Sequence, residues 1–378
     1  MRVIVVGSGI VGASCAYTAS RLGAEVLLAD AAIPGQATAA GAGIVCPWTS
    51  GLADDPVWYD FACAAARYYP RLVGDLAEFG ATEVGYRQVG ALILADSPGR
   101  QEHVWRQLQA RRAEAPEMGD VNVLGGAEAR DLFPPLREDW AAVWVSGACR
   151  VDGRLLASCL TQAAAAKGAV ITASQAQLVC RSGRAAGVML KGQFIEADAV
   201  IAATGAWTTS FLEPAGVTVP VTPQRGQIVH LSVAPADTSG WPVVLPAASG
   251  HYLLAFDESR VVVGATRETG AGFDHRVTAA GLAEVLGQAL AVAPGLATAS
   301  YLETRVGFRP VGPDHRPLLG PVAGMEGLVV ATGLGATGLT MGPFAGAVAA
   351  RAAMGEPPGI DLAPLDPLRQ ARPLAAAD

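Results

Sequence analysis

The stretch Gly7-Ser8-Gly9-Ile10-Val11-Gly12 restricts what this chain can fold into more than any other. It reads G-x-G-x-x-G and lies between an apolar run, "RVIVV", and a segment with helical spacing, Ile10–Leu22. In that setting each glycine has its own task. The first makes the turn, the second lets a pyrophosphate approach the backbone, and the third packs helix on strand. The helix amides that follow face an anion with roughly half a unit of positive charge. A second apolar strand, "AEVLLAD", ends at Asp30, placed to accept from a ribose 2′-hydroxyl and to repel a 2′-phosphate. Strand, helix and acidic strand end in register predict a dinucleotide-binding βαβ unit; a chance glycine turn is the competing explanation.

The same grammar returns near the far end, in "VATGLGATGLT" at Val330–Thr340. One phosphate group needs only one such turn. A long dinucleotide explains both, with its ADP half on the first turn and its redox ring held by the second. The second helix N-terminus would then face the N1/C2 edge of an isoalloxazine, where negative charge gathers on reduction. The residues alone leave nicotinamide and flavin open, and a C-terminal helix that merely packs is the alternative. The small-residue stretch "PGQATAAGAGIVCP" after Asp30 and the mid-chain "AATGAW" favour the flavin. Gly205 and Trp207 of "AATGAW" are therefore expected in the cofactor wall, with Gly7, Gly9 and Gly12.

At 378 residues the chain exceeds one ordinary core, so two packed domains are expected. Hydrophobic residues make up 51% and charged residues 16%, which excludes disorder as the main state. Net charge is −7 without a basic run, so nucleic acid is not an expected partner. Of 27 cations only Lys167 and Lys191 are lysines, and both read as surface positions. Arginine forks carboxylates and phosphates but cannot act as a base or Schiff-base nucleophile. The six cysteines are scattered without metal or disulfide spacing, which predicts reduced thiols, no metal and a cytoplasmic protein. The apolar start is read as a strand rather than a targeting segment, and no stretch reads as a membrane span. Peripheral membrane contact stays open.

Beyond Asp30 the pattern predicts helices at Asp60–Phe79, Gln101–Ala113 and Thr278–Ala293, a strand at "GALILA" and a turn at "GAEARDLFPPL". "AVITASQAQLVCRSGRAAGVML" reads as a strand pair, and "TPQRGQIVHLSV", "GHYLLAF" and "SRVVVGATRE" as an antiparallel sheet. Nucleotide-type elements interrupted twice by antiparallel material predict an α/β chain with a discontinuous first domain.

These pieces in this order resemble the D-amino-acid oxidase, glycine oxidase and D-amino-acid dehydrogenase family of FAD-dependent oxidoreductases. The likeness rests on "GSGIVGASCAYTASRLGAEVLLAD", "ATAAGAGIVCP", "RVDGRLLASCLTQAAAAKGA", "ADAVIAATGAW", "PVTPQRGQIVHL", "HYLLAFDESRVVVGATRE", "GFRPVGPDHRPLLGP" and "GLGATGLTMGPFAGAVA". It implies a Rossmann-like FAD-binding domain of glutathione-reductase type, made of residues 1–82, 148–214 and 313–378. An inserted, mainly antiparallel substrate domain would comprise 83–147 and 215–312. It further implies that Ile10 and Val11 meet the pyrophosphate, and that Asp30 and Ala31 hold the ribose. Thr38, Ala39, Ala42, Gly43 and Ile44 would line the flavin, Val179 would meet the adenine through its backbone, and Leu334, Gly335, Ala336, Thr337, Gly338, Leu339 and Thr340 would wrap the pyrimidine side. Arg309 matches the arginine that pairs with the substrate carboxylate, and Tyr252 falls at a position over the substrate.

Two of these assignments have competitors in the residues themselves. Arg309 lies in the apolar segment "VGFRPVG", where an unpaired charge is costly, so something anionic should meet it; an internal acid near Glu303 or Asp314 is the alternative to a substrate. Arg305 shares its strand face and is the backup candidate. Tyr252 shares a face with Leu254 and Phe256, so core packing competes with a catalytic place. None of His103, His230, His251, His275 and His315 is given a base role.

The implied reaction removes a hydride from the Cα of a small amino acid, giving an imine that hydrolyses to a 2-oxo acid. Departures from the family refine it. Neither lysine is placed for oxygen activation and no cysteine for a covalent link, so FAD is expected to be non-covalent and the acceptor to be oxygen, a quinone or another species. Leu334 stands where relatives often have histidine, and "PAASG" before His251 lacks the aromatic residue that trims the glycine oxidase pocket. A D-configured apolar or proline-like amino acid is the expected substrate. Sarcosine-type or N-alkyl-glycine oxidation, an accessory FAD subunit and an NAD-linked dehydrogenase are the alternatives.

Overall fold

The structure is a computed structural model; it describes residues 1–81 and 83–370, and the two expected domain ends at Thr82 and Asp378 lie outside the described residues. One sheet has six strands in the spatial order Leu318–Pro321, Leu328–Thr332, Ala199–Ala202, Arg2–Val6, Glu25–Asp30 and Val170–Ala173. All neighbours are parallel except the first pair. Strands covered on both faces read as unbroken apolar runs, which is why "VIVV", "AVIA" and "LVVAT" show no alternation. Glycine turns follow three adjacent strands of this sheet, at Gly7, Gly205 and Gly333. They therefore line one edge, at the carboxyl ends where open parallel sheets bind ligands.

The helices after the two outer turns, Ile10–Arg21 and Gly338–Ala353, cross at close range. Gly346 permits this: a Cβ there would lie 2.6 Å from the Ser14 Cβ and 3.0 Å from the Cys15 nitrogen. Pro343 inside the second helix deprives the Leu339 carbonyl of its usual donor. Tyr69, buried in the helix Pro56–Ala77, donates its hydroxyl to that carbonyl instead. The Ser14 hydroxyl donates to the Pro343 carbonyl at 2.6 Å, a direct bond between the two helices.

A second sheet has nine strands, drawn from residues 91–145 and 222–311. Its pairings are antiparallel except that of Val243–Pro246 with Ala91–Ala95. Period-two alternation divides its faces. Val229, Leu231, Leu253 and Val263 bury against the helix Ala279–Val292, whereas Ile228, Leu254 and Val262 turn toward the parallel-sheet half. A three-stranded meander, Ala176–Arg181, Arg184–Leu190 and Gln193–Glu196, covers the parallel sheet elsewhere. A small sheet of Ile44–Val45, Cys149–Val151 and Tyr86–Gln88 ties the two halves together.

Three readings of local pattern are corrected. The expected strand pair after residue 168 splits: Val170–Ala173 joins the parallel sheet, and the rest starts the meander. The expected turn "GAEARDL" is a helix, Gly126–Leu132, begun by the Glu128 carboxylate accepting from the Gly125 amide at 2.7 Å. The helix expected from Asp60 starts at Pro56, where Asp55 accepts from the amides of Val57 and Trp58. Among the described residues no helix is long and apolar enough to cross a membrane.

Candidate active site

A cavity of roughly 630 Å³ runs along the glycine-turn edge of the parallel sheet and ends against the second sheet. Gly7, Gly9, Ile10, Val11, Asp30 and Ala31 line its first part, then Thr38, Ala42, Gly43 and Ile44. Gly205, Trp207, Leu334, Gly335, Ala336, Gly338, Leu339 and Thr340 line it further along. Four residues expected in this wall lie outside it. Gly12 stands behind the turn, where a Cβ would collide with the Gly7 carbonyl, so its task is packing. Ala39 turns its carbonyl to the Arg154 Nε–H at 2.8 Å. Thr337 donates its hydroxyl to the Leu334 carbonyl at 2.8 Å. Val179 sits at a register shift of its hairpin, and Gln175, Ala176, Gln177 and Leu178 form that wall instead.

The cavity is polarised for an anion at both turns. The helix Ile10–Arg21 has neither a side-chain cap nor an acid in its first turn, and of its leading amides that of Ile10 donates to Thr38 Oγ1 at 2.8 Å. The helix Gly338–Ala353 likewise starts uncapped and without an acid. Thr340 ties this second turn to the loop 38–44 through its bond to the Ile44 carbonyl at 2.7 Å. Asp30 accepts from the Ser8 amide and hydroxyl, the Ala32 amide and the Gln36 side chain, at 2.5, 2.8, 2.6 and 2.9 Å. These four donors hold the carboxylate at the strand end, so a ribose hydroxyl would replace a side-chain donor, Gln36 or the Ser8 hydroxyl.

At the other end Arg309 and Tyr252 face each other across the cavity wall. Arg309 pairs across strands with Gln224, and its Nη1 donates to Gln224 Oε1 at 3.3 Å and to the Thr266 carbonyl at 3.0 Å. Among the described residues no carboxylate pairs with it. The two acids proposed as internal partners are taken: Glu303 by Arg305 at 2.6 Å, and Asp314 by Arg369 at 2.5 Å. Burial, with Arg267 nearby, lowers the Arg309 pKa from the usual guanidinium value, although an arginine stays charged there. Burial likewise raises the Tyr252 pKa, opposed by Arg309 and Arg267, so the phenol is protonated and able to donate.

Two glycines make room for this pair. A Cβ on Gly226 would lie 2.6 Å from the Arg309 Nη2, and one on Gly264 would lie 2.7 Å from the Tyr252 hydroxyl. Both come from the same strands that alternate cavity-facing residues, and their importance is invisible until Arg309 and Tyr252 are placed. Arg305 does not join them. Gly307 separates the two arginines on their strand face, and Ala40 packs into the gap, 2.7 Å from where a Gly307 Cβ would be. Arg305 instead lines a small second cavity with His230, Arg260, Arg154 and Asp152. Leu254 and Phe256 are core residues, so Tyr252 is the member of its strand face that reaches the main cavity.

The sequence of the whole chain matches known proteins along its length. Residues 2–352 match the family described as DAO, FAD dependent oxidoreductase. The chain belongs to this family. It is an FAD-dependent enzyme of the group that oxidises C–N bonds of amino donors, and its FAD is non-covalent. Among solved structures, an iminodiacetate oxidase from Chelativorans sp. BNC1 is 50% identical, with a TM-score of 0.94 over 97% of this chain and 99% of that one. Glycine oxidase from Geobacillus kaustophilus is 26% identical, with a TM-score of 0.84 over 98% and 99%. The uncharacterized oxidoreductase YurR of Bacillus subtilis (strain 168) is 46% identical over 96% of this chain and 98% of that protein. The cavity's paired uncapped helix ends, close-approach glycines and anchored acid fit the family's cofactor.

Proposed function

We propose that this flavoenzyme oxidises the C–N bond beside a carboxylate in a small amino acid, with Arg309 receiving that carboxylate. The observation that carries the reading is a guanidinium set at the cavity's inner end with two neutral acceptors and no acid. Leaving a buried charge so arranged is costly unless an anion completes it, and a forked pair fixes orientation as well as affinity. Iminodiacetate and glycine, named for the two oxidases above, share one unit, a carboxymethyl amine. An N-substituted glycine is therefore the favoured substrate form.

In this reading residues 1–82, 148–214 and 313–378 make the cofactor unit, and 83–147 and 215–312 the substrate unit. The helix ends at Ile10–Val11 and Gly338–Thr340 would hold the anionic parts of FAD, Asp30 its ribose, and Gln175–Leu178 its adenine end. Bound there, FAD would supply the acceptor for a hydride from the carbon between amine and carboxylate. The chain's own residues position that carbon and exclude alternatives. Arg309 fixes the carboxylate, Tyr252 donates to it, and Ile228, Leu334 and Leu339 present apolar surface. Among the described residues Asp30 is the one acid lining the cavity, and it lies at the far end, so no side chain there takes the amine's proton and the amine enters already neutral. The imine then adds water and splits into a 2-oxo acid and an amine. A D-configured apolar or proline-like amino acid is the second reading, favoured by Leu334 and by the absence of an aromatic residue before His251.

Anaerobic mixing of the yellow holoprotein with N-substituted glycines and with D- and L-amino acids tests this. N-substituted glycines should bleach the flavin, and Arg309→Met should lower kcat/KM about 10³-fold while FAD stays bound. If amines without a carboxylate bleach it equally well, the proposal fails.

A further inference from the structure

We infer that Arg267 is a second carboxylate receptor, so that the preferred substrate is a dianion: a secondary amine carrying an acid group on each side. This deepens the function proposed above and rests on it. Arg267 lines the same cavity as Arg309 and Tyr252 but is exposed at its rim. Among the described residues neither an acid nor a carbonyl accepts from it. Its guanidinium lies against Gly250, with Nε 3.2 Å from where a Cβ of that glycine would be, two residues before Tyr252.

The neighbouring acid does not neutralise it. Glu268 follows Arg267 directly, yet strand alternation turns its carboxylate to the opposite side, where Arg225, Gln227 and Thr266 consume it. The two arginines sense each other. The charge of Arg267 lowers the pKa of Arg309, and both act on the Tyr252 phenol. Two like charges converging on one volume, in a chain of net charge −7, repel unless the ligand carries two negative charges. One acid on Arg309 and one on Arg267 would suspend the amine between them, next to Tyr252. A substrate with a single carboxylate leaves the rim guanidinium to water.

The test compares iminodiacetate with N-methylglycine, which keeps one carboxymethyl arm and replaces the other by methyl. For the wild-type holoenzyme kcat/KM should favour the dianion by about 30-fold or more, and raising salt should narrow the gap. In Arg267→Met the preference should fall to within about threefold. A binding readout independent of turnover uses thiodiacetate and methylthioacetate, which carry sulfur in place of the oxidised amine. Their affinities, read from the flavin spectrum, should differ by about 30-fold in the wild type and converge in the variant. Arg267→Glu should invert the order in favour of N-(2-aminoethyl)glycine, whose distal arm is cationic, an outcome that loss of packing does not produce. If N-methylglycine is oxidised but the preference or the affinity gap survives Arg267→Met, this inference is overturned and the proposed function stands. If no carboxymethyl amine bleaches the flavin, the proposed function itself falls, and this inference with it.

Discussion

Arg309 was legible from the sequence because an arginine in an apolar segment announces an unpaired charge, and only the absence of an acid had to be seen. Its supports were not legible. Gly226 belongs to a strand more than eighty residues earlier in the chain, and its role exists only because the Arg309 guanidinium lies flat across its Cα. Gly226→Ala places a methyl group 2.6–2.7 Å from three atoms of that guanidinium. The flexible end of Arg309 can yield, so the fold should survive while the fork is displaced by about an ångström. A misplacement of that size costs on the order of 10²-fold in turnover efficiency. Steady-state kinetics on a carboxymethyl amine should show this with FAD content unchanged; a variant with wild-type kcat/KM would mean that Arg309 is not held against Gly226. Val179 shows the opposite case, a residue expected in the wall that does not line the cavity. Resemblance implied a cofactor contact for it, whereas Gln175–Leu178 line the cavity; which residues of a hairpin reach a wall depends on cross-strand pairing, not on local composition.

Elements built from local rules were legible at the level of type. The glycine turns, the helix after each and the buried parallel strands all follow from spacing within about ten residues. The edge strand Val121–Leu124 and its neighbour Ala141–Val145 were missed because short pieces declare themselves only through their partners. The helix Gly338–Ala353 shows how a local defect is repaired from afar. Its Pro343 removes the donor for the Leu339 carbonyl, at the turn that lines the cavity, and the buried Tyr69 hydroxyl supplies one. Tyr69→Phe changes no volume of consequence but leaves a buried carbonyl unsatisfied. Such a change costs about 1–3 kcal/mol. Urea unfolding of the holoprotein should show that loss, and FAD should dissociate more readily because the helix start is loosened. Unchanged stability together with unchanged FAD affinity would show that the Tyr69 bond does not support this turn.

On the scale of the molecule, the two sheets meet along the cavity and again at the smaller one behind the loop 38–42. There Thr38, Gly41, Ala42 and Asp152 come from one half, and His230, Phe256, Arg260 and Arg305 from the other. His230 is 2% exposed and, among the described residues, neither ring nitrogen has a hydrogen-bond partner, Glu303 Oε1 lying 4.0 Å from Nδ1, so it is a neutral imidazole at the seam. Burial first, then the charges of Arg305, Arg260 and Arg154, hold its pKa down to about 4 against an ordinary 6.5, with Glu303 opposing. The consequence for stability has a definite sign. Above the unfolded value both states are neutral and His230 costs nothing. As pH falls below 6.5 the unfolded chain takes up a proton that the folded chain refuses, so stability drops until about pH 4, where the folded state protonates too. The whole shift corresponds to about 3 kcal/mol. His230→Gln keeps a polar group of similar size but cannot titrate, so its unfolding free energy should fall less between pH 7 and pH 4.5 than that of the wild type. Urea titrations at the two pH values read this directly. Parallel pH slopes for the two proteins would show that the seam does not exclude the proton, and that the halves part locally before the chain unfolds.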